Sequence, residues 1–288
     1  MIIWIASYPK SGNTWVRSLI SAYLYSENGI FNFNLLKKIQ QFPSKLYLKY
    51  FIEDFKDIKK VSNHWIPAQD RINLFNEGTS FFKTHSALCS LENNSFTNKA
   101  NTKAAIYVVR DPRNLVTSLS HHYSLNMEES FNFIIDKNKM IIAGIWESEN
   151  FDVATVLGNW SEHYKSWKNL KFAPILIVKY EDLIKDTKST LISILNFLSN
   201  LIDIKIEEKK ITNTVNSCSF ETLQKKEQIE GFFESVPLER DAKEKYTNKK
   251  INFFYLGKKN NWKNLLDPKI EKKIRETFRK EMKELNYI

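Results

Sequence analysis

The stretch "SYPKSGNT", from Ser7 to Thr14, is the first part of the chain whose residue types could bind a phosphate-like group. It follows the spacing of the loop G-x-x-x-x-G-K-[ST], except that Ser7 stands in the first glycine position and Asn13 in the lysine position. Lys10 lies instead before Gly12. A loop between a strand and a helix points backbone N–H groups at one spot, where the helix N-terminus adds partial positive charge. The stretch predicts a site for a tetrahedral anion, the alternative being a polar turn with an incidental lysine.

Lys83 and His85 come at the end of a second apolar run, in "FFKTHSAL" (81–88). Histidine is the side chain best suited to take a proton from a hydroxyl near neutral pH. A lysine two residues away could stabilise a transferred or leaving anion. A lone histidine is more often structural, so this pattern alone leaves both interpretations open.

Arg110 marks a third candidate, in "YVVRDPRNLVTSLSHHY" (107–123). It follows a β-branched run, and Asp111 and Pro112 are predicted as the N-cap and first residue of a helix. An arginine at a strand end beside a helix N-terminus predicts a second anion site, and Ser118, about two turns on, could reach the same ligand. The alternative is that Arg110 pairs with Asp111 or another carboxylate. Two anion sites and a histidine suit a ligand with two separated phosphate-like groups.

Alternating strands and helices must position these side chains. They predict an α/β fold, with one domain over residues 1–288 and a mostly parallel central sheet flanked by helices on both faces, of the P-loop nucleotide-binding type. Because sites in such sheets lie at the carboxyl ends of strands, loop 8–13, Arg110 and Tyr180 should share one edge. The predicted strands are 2–7, 104–109 and 174–180, and the predicted helices begin at Thr14 and Pro112 and cover 160–167, 189–198 and 267–285.

Two segments have no clear periodicity, 26–80 and 200–256. We expect them to be helices packed over the sheet, or a lid and ligand pocket over the site. Trp160, Tyr164 and Trp167 have helical spacing and are predicted to belong to the core.

Composition limits the classes of partner and compartment. The 288 residues carry a net charge of +10, spread along the chain, which fits either a lysine-rich surface or a polyanionic ligand. We find no nucleic-acid-binding motif, no secretory signal and no run of the ~20 apolar residues that a membrane span needs. Two cysteines, Cys89 and Cys218, fit a reducing cytoplasm. We therefore expect a cytoplasmic protein without a nucleic-acid or membrane partner.

Taken together, "YPKSGNTW", "KTH" and "VVRDPRNLVTSLSHHY" resemble the cytosolic-type sulfotransferases, which use 3′-phosphoadenosine 5′-phosphosulfate (PAPS) as donor. The stretches "WSEHYKSW", "ILIVKYEDLIKDT", "CSFETL" and "GKKNNWKN" are also similar to that family. The matching stretches occur in the family's order and span nearly the whole chain. The resemblance implies that the donor's 5′-phosphosulfate is held by Lys10, Ser11, Gly12, Asn13 and Thr14.

The resemblance also implies how the nucleotide and the chemistry are divided among the remaining residues. His85 is then the general base, and Lys83 helps to stabilise the sulfuryl group beside Lys10. The implied nucleotide ligands are Trp15 and Phe220 on either side of the adenine, Tyr180 near its edge, and Arg110 and Ser118 on the 3′-phosphate.

The C-terminal motif departs from the family's pattern, which has an Arg-Lys pair before the glycine. Here Tyr255 and Leu256 precede Gly257, and Lys258 or Lys259 is the candidate to supply the missing charge. Asn260 and Asn261 stand where Gly and Asp are usual, and Cys218 stands where a threonine is common.

The resulting functional prediction is transfer of a sulfuryl group from PAPS to a hydroxyl or amine of a small-molecule acceptor, releasing adenosine 3′,5′-bisphosphate (PAP). No Walker-B-like carboxylate is apparent at the strand ends, so no metal is expected. The alternatives are a P-loop small-molecule kinase and a nucleotide-binding protein without transfer activity. The sequence leaves open whether the protein is a homodimer. His64 and His163 belong to no recognisable constellation, and His121 and His122 are expected to be structural or to line the pocket.

Overall fold

A parallel sheet of five strands forms the centre of the computed structural model, which describes residues 1–142, 152–235 and 252–288. The strand order is β2-β3-β1-β4-β5, and every neighbouring pair is parallel. The predicted α/β architecture is confirmed. The strands are β1 (Ile2–Ser7), β2 (Gln40–Gln41), β3 (Ser80–Thr84), β4 (Thr102–Val109) and β5 (Ile175–Lys179).

Helices cover both faces of this sheet. Two short antiparallel ribbons, Ser90–Leu91 with Asn94–Ser95 and Met140–Ile141 with Thr155–Val156, lie outside it. Two 3₁₀ helices span Phe33–Lys38 and Gly257–Lys259. The α-helices are α1 (Asn13–Tyr25), α2 (Lys45–Leu48), α3 (Ile58–Ser62), α4 (Trp65–Phe75), α5 (Pro112–Tyr123), α6 (Met127–Ile135), α7 (Trp160–Lys168), α8 (Tyr180–Lys185), α9 (Thr187–Ser199), α10 (Glu208–Ser217), α11 (Phe220–Glu230), α12 (Trp262–Leu265), α13 (Pro268–Thr277) and α14 (Arg279–Glu284).

The central strand β1 is buried along its whole length, which explains its continuous apolar sequence. Its alternate side chains enter two separate cores. Trp4 lies in the core that also contains Trp160 and Trp167, as predicted for those two residues. Ile3 and Ile5 lie in the other core, with α1 and α9. Burying a large apolar side chain contributes about 1.5–3 kcal/mol, so these two cores hold the strand ends in place.

The edge at which the strands end is built as expected. Ala6 of β1 pairs with Thr84 on one side and Tyr107 on the other, so the residues that follow emerge together. Helix α5 begins as predicted, because the Asp111 side chain accepts a hydrogen bond from Arg113 N (2.9 Å) and Pro112 is in the first turn.

The C-terminal tail differs from its prediction. Residues 267–285 form two helices instead of one, because Phe278 leaves the helical conformation (φ −109°, ψ 21°) between α13 and α14. Phe278 is buried and its ring contacts Trp160 at a centroid distance of 5.1 Å. The break directs this side chain into the core, a tertiary requirement that helical periodicity does not reveal.

The two segments without clear periodicity have different structures. Segment 26–80 supplies the edge strand β2, one 3₁₀ helix and the helices α2 to α4. Segment 200–256 supplies α10 and α11, while its residues 236–251 lie outside the described part of the chain. No helix in the described ranges is both long and apolar enough to cross a membrane. Both cysteines are free thiols.

Candidate functional site

A cleft of about 740 Å³ opens at the carboxyl edge of the sheet. It brings together residues that follow β1 and β4, residues at the end of β3 and the start of α8, as the fold prediction required. Two predicted site residues do not line the cleft: Ser11 is a buried residue of the loop itself, and Lys258 is exposed to solvent. The predicted site residues that do line it are Lys10, Gly12, Asn13, Thr14, Trp15, Lys83, His85, Arg110, Ser118, Tyr180, Phe220 and Gly257.

The loop between β1 and α1 holds a conformation that only a glycine at position 12 fits well. Gly12 has φ +101°, and a Cβ atom there would lie 2.5 Å from Tyr180 Cδ2. Asn13, in the position where a kinase loop has lysine, ties the loop to β1 by donating from Nδ2 to Ile5 O (2.9 Å). Asn13 therefore anchors the loop to β1, a structural role in the position where a kinase loop has its lysine.

The loop also leaves polar groups without partners. The first backbone bond of α1 runs from Val16 N to Gly12 O, so the preceding amides point out of the helix end. Within the described part of the chain, Ser11 Oγ and Asn13 Oδ1 are buried and make no hydrogen bond. Buried polar atoms are seldom left unpaired, so a ligand with both donor and acceptor character, or an anion with its water, fits this cradle.

Lys10 lies across the front of the loop. Its Nζ is 3.4 Å from His122 Nδ1 and 3.8 Å from the centre of the Phe253 ring. Burial, followed by the Arg110 charge, lowers the pKa of Lys10 to about 7. An incoming anion would favour the charged form of this lysine, so its protonation is coupled to ligand binding.

The His85 ring has a defined tautomer. Its Nδ1 donates to the carbonyl oxygen of Ser7 at 2.8 Å, and a carbonyl only accepts, so Nδ1 carries the proton. The Nε2 lone pair is therefore free for a proton from a substrate. Burial and then the Lys83 charge hold the pKa of His85 well below its ordinary value. The imidazole is neutral at physiological pH, as a general base must be.

His163 supports His85 from behind, although no sequence pattern identified it. Its Nε2 donates to the carbonyl oxygen of His85 (2.9 Å), and Tyr107 Oη donates to its Nδ1 (2.9 Å). Burial lowers the pKa of His163 to about 4, which keeps it neutral in this network. The two residues are 78 positions apart in the chain, so the sequence alone does not indicate that they are in contact.

Lys83 shares a buried ion cluster with Arg17 and Glu234. Glu234 Oε1 lies 2.6 Å from Arg17 Nη1 and 3.5 Å from Lys83 Nζ. Thr14 Oγ1 donates to the other carboxylate oxygen at 2.9 Å. Burial alone would raise the pKa of Glu234, but Lys83 and Arg17 more than offset it and hold that pKa well below the ordinary value. Neither Arg17 nor Glu234 was predicted as a site residue. Arg17 has the pattern of an ordinary helix residue, and Glu234 lies in a segment without periodicity.

An aromatic slot lies beside the loop. Trp15 makes edge contacts with Tyr180 (5.8 Å) and Phe220 (6.4 Å) and donates from Nε1 to Cys218 O (2.8 Å). That bond uses the backbone of Cys218, so the side chain at this position does not hold Trp15. Gly257, with φ +51°, lets the chain pass so close to Phe220 that a Cβ would lie 2.5 Å from its ring.

Arg110 lies under the loop and across the Tyr180 ring, at 4.0 Å from its centre. Its Nη1 donates to Lys10 O (2.9 Å), and its buried Nε has no partner within the described ranges. The alternative that Arg110 pairs with Asp111 or another carboxylate is wrong for the described residues: Asp111 binds Arg113 at 2.7 Å, and Arg110 forms no ion pair within those ranges. Arg110 is thus available to a ligand.

Helix α5 meets the C-terminal motif through neutral groups and a histidine. Tyr255, in the position of the missing arginine, stacks on His121 with ring centres 3.5 Å apart. Thr117 Oγ1 donates to Asn260 Oδ1 (2.5 Å), which joins α5 to the C-terminal motif through neutral groups. His121 and His122 both line the cleft.

The remaining wall of the cleft is apolar. It is formed chiefly by Tyr123, Phe133, Met140, Phe233 and Phe253. Among the lining residues, all from the described ranges, Glu234 is the only carboxylate. No group of three or more His, Cys, Asp or Glu positioned to hold a metal occurs within those ranges.

Comparisons with known proteins agree with this geometry. The chain is 24% identical to a luciferin sulfotransferase of Photinus pyralis over 295 residues, which cover 99% of this chain and 73% of that protein. It is also 24% identical to cytosolic sulfotransferase 13 of Arabidopsis thaliana, covering 97% and 76% of the two chains.

Solved structures show the same fold. A mouse sulfotransferase complexed with PAP matches with a TM-score of 0.59 at 21% identity, over 98% of this chain and 84% of that one. A retinol dehydratase in complex with androsterone and PAP matches with a TM-score of 0.60 at 18% identity, over 98% and 80% of the two chains. The family model described as "Sulfotransferase domain" matches residues 2–286. This chain therefore belongs to the sulfotransferase domain family.

Proposed function

We propose that this sulfotransferase moves a sulfuryl group from PAPS to a hydroxyl or amine of a small molecule, with His85 as general base. The observation that carries the proposal is that Lys10, residues 12–14 of the loop, Lys83 and His85 all line one cleft. The family membership supports sulfuryl transfer over the kinase alternative. PAP is present in the solved relatives, which supports PAPS as the donor here.

The loop is suited to the donor's 5′-phosphosulfate. The amides at the start of α1, the partial charge of the helix end and the Thr14 hydroxyl supply hydrogen bonds, and Lys10 supplies charge. The unpaired Ser11 Oγ, whose hydroxyl can donate to an anion, supports the view that this cradle is completed by a bound group. Gly12 permits the close approach.

His85 is suited to activate the acceptor. Its Nε2 takes the proton of the acceptor hydroxyl or amine while the acceptor atom forms a bond to sulfur and the bond from sulfur to the 5′-phosphate oxygen breaks. The bond from Nδ1 to Ser7 O orients the ring and stabilises the imidazolium that forms. His163 fixes the backbone of His85 from the other side.

Lys10 and Lys83 are suited to stabilise the charge that shifts during transfer. Lys10 would neutralise the bridging and leaving oxygens, and Lys83 the sulfuryl oxygens. Since a sulfuryl group carries one negative charge fewer than a phosphoryl group, two lysines can serve where a kinase uses magnesium. We propose that no metal is required.

The aromatic slot and Arg110 are suited to the rest of PAPS. Trp15 and Phe220 would enclose the adenine with Tyr180 at its edge, and Arg110 and Ser118 would bind the 3′-phosphate. Gly257 closes this end against Phe220. Lys258 is exposed, so it reaches the 3′-phosphate only if its side chain turns into the cleft.

The apolar wall is suited to a small, largely apolar acceptor. Its aromatic rings lie within the same cleft as His85, and androsterone and retinol occur in complexes of a structural relative. We propose that residues of segments 26–80 and 200–256, including Gln41 and Phe233, form the acceptor pocket and its lid. We further propose a cytoplasmic location, no nucleic-acid partner and a homodimer, and sedimentation analysis tests the last of these.

A comparison of nucleotides tests the donor assignment. PAP in the presence of EDTA should raise the melting temperature of the protein, because a ligand that binds only the folded state stabilises it. Stabilisation by ATP with magnesium and not by PAP would contradict the proposal in favour of a kinase. PAP binding without sulfation of any acceptor would favour a binding protein without transfer activity.

A further inference from the structure

We propose that Glu234 is a built-in competitor of the donor: its carboxylate fills the place of the donor's 5′ anionic group and must leave when that group binds. The inference rests on the proposed function, since it takes the loop to be the donor site. It assigns a role to a residue that the mechanism does not use. The role is to set donor affinity.

The contacts of Glu234 are those expected of a bound anion. One carboxylate oxygen accepts from Thr14 Oγ1 at 2.9 Å, and the other lies 3.5 Å from Lys83 Nζ. Both groups are proposed ligands of the donor. A carboxylate and a phosphosulfate accept the same charge-assisted hydrogen bonds, so they cannot hold the same donors at once.

Burial makes this competition strong. The Glu234 side chain is 16% exposed, and those of Arg17 and Lys83 are 3% and 11% exposed. Water screens such a cluster poorly, so a second anion brought to Lys83 would be repelled by Glu234 in its present position. The donor therefore binds with the carboxylate moved aside.

Arg17 can hold the Glu234 carboxylate after it has moved away from the donor site. It is the third partner of Glu234, at 2.6 Å, and its Nη2 also donates to Ile39 O at 3.1 Å. Arg17 does not line the cleft, so it is not required by the donor. Glu234 can keep this bond while it releases Thr14 and Lys83, which avoids leaving a buried charge unpaired.

The position of Glu234 in the chain links its displacement to the acceptor wall. It follows α11 through Gly231, which has φ +72° and open space where a Cβ atom would lie. Its neighbours Phe233 and Ser235 line the cleft. A shift of Glu234 would move them, so donor binding reshapes the acceptor side.

Neutralising Glu234 tests the proposal directly. Glu234→Gln should bind PAP at least about tenfold more tightly than the wild type, a gain of about 1.4 kcal/mol, measured by isothermal titration calorimetry. The control is Glu230→Gln, an equal charge change on an exposed residue that pairs with Lys226, and it should leave PAP affinity unchanged. Unchanged or weaker PAP binding by Glu234→Gln would overturn the proposal.

A second measurement covers the case in which Glu234→Gln does not fold. Addition of PAP to the wild type should change backbone hydrogen exchange at residues 231–235, and an unchanged exchange pattern would overturn the proposal. The outcomes also distinguish the proposed function from the inference about Glu234. If the folded wild type and variant both fail to bind PAP, the proposed function falls with the inference. If the wild type binds PAP but the variant binds no more tightly, only the inference falls.

Discussion

Two groups of charged residues in the cleft differ sharply in how their charge is balanced. Lys83 shares a buried ion cluster with Arg17 and Glu234, and Lys10 lies at the front of the adjoining loop. Arg110, which donates to Lys10 O, makes no ion pair within the described ranges, and Tyr255 and Leu256 occupy the positions of the family's basic pair. The charge of Lys83 and Arg17 is therefore balanced in part by Glu234, whereas Arg110 has no paired carboxylate in those ranges.

In the proposed function these two groups have different tasks. Lys10 and Lys83 would face the bond that breaks, so their charges would act on the transition state and affect rate. Arg110 would hold the 3′-phosphate, which does not react, so it should affect binding more than rate. The next four predictions test this division.

Replacing His85 should have the largest effect. His85→Ala should lower kcat by about 10²–10⁴-fold, because the acceptor loses its general base, while PAP affinity stays the same. Steady-state kinetics and calorimetry measure the two quantities. His64→Ala, outside the cleft, is the matched control. A variant with near-wild-type kcat would exclude His85 as the base.

Replacing Arg110 should affect the donor's 3′-phosphate selectively. Loss of a charge-assisted bond costs about 1.5–3 kcal/mol, so Arg110→Ala should weaken PAP binding roughly 10–100-fold. Binding of AMP, which lacks the 3′-phosphate, should change much less. Arg275→Ala, at an exposed arginine on α13, is the control. An equal loss for both nucleotides would mean that Arg110 only supports the loop, through its bond to Lys10 O.

The pH dependence of binding should come from Lys10. Its pKa of about 7 in the donor-free protein means that it loses its proton as pH rises through neutrality. A bound anion favours the protonated form, so PAP binding near pH 8 should take up a proton, and affinity should fall by up to about tenfold per pH unit above 7.

Calorimetry in buffers of different ionisation enthalpy measures this proton uptake. Lys10→Arg keeps its charge throughout the range and should abolish the uptake, since guanidinium does not titrate here. Uptake that persists in this variant would assign the pH dependence to another group.

Restoring charge in the C-terminal motif, at the position before Gly257, should have the smallest effect. Leu256→Lys should improve PAP affinity by about two- to fivefold, the amount expected of a partly exposed ion pair. Leu256→Met is the neutral control. If Lys258 already supplies this charge, Lys258→Ala will weaken PAP binding and Leu256→Lys will add nothing.

Much of this site could be predicted because it is built from local units. The turn at Gly12, the cap at Asp111 and the strand ends before His85 and Arg110 each follow from a few adjacent residues. Parallel pairing then brings them to one edge of the sheet. The predicted site residues that line the cleft could therefore be identified by motif.

The supporting residues could not be predicted in this way. His163 reaches His85 across 78 positions, and Glu234 reaches Arg17 across 217. Their contacts depend on how α7 and the residues after α11 pack onto the sheet, which no local pattern encodes. The break at Phe278 has the same origin, because core packing overrides helical periodicity there.

Transfer itself is the most direct test of the central claim. Wild-type protein would be incubated with PAPS labelled in its sulfuryl group, EDTA and a panel of phenols, alcohols and amines, with products identified by mass spectrometry. We expect label on at least one acceptor with stoichiometric release of PAP, and strongly reduced transfer by His85→Ala. Tight PAP binding without label on any acceptor, or undiminished transfer by His85→Ala, would contradict the account.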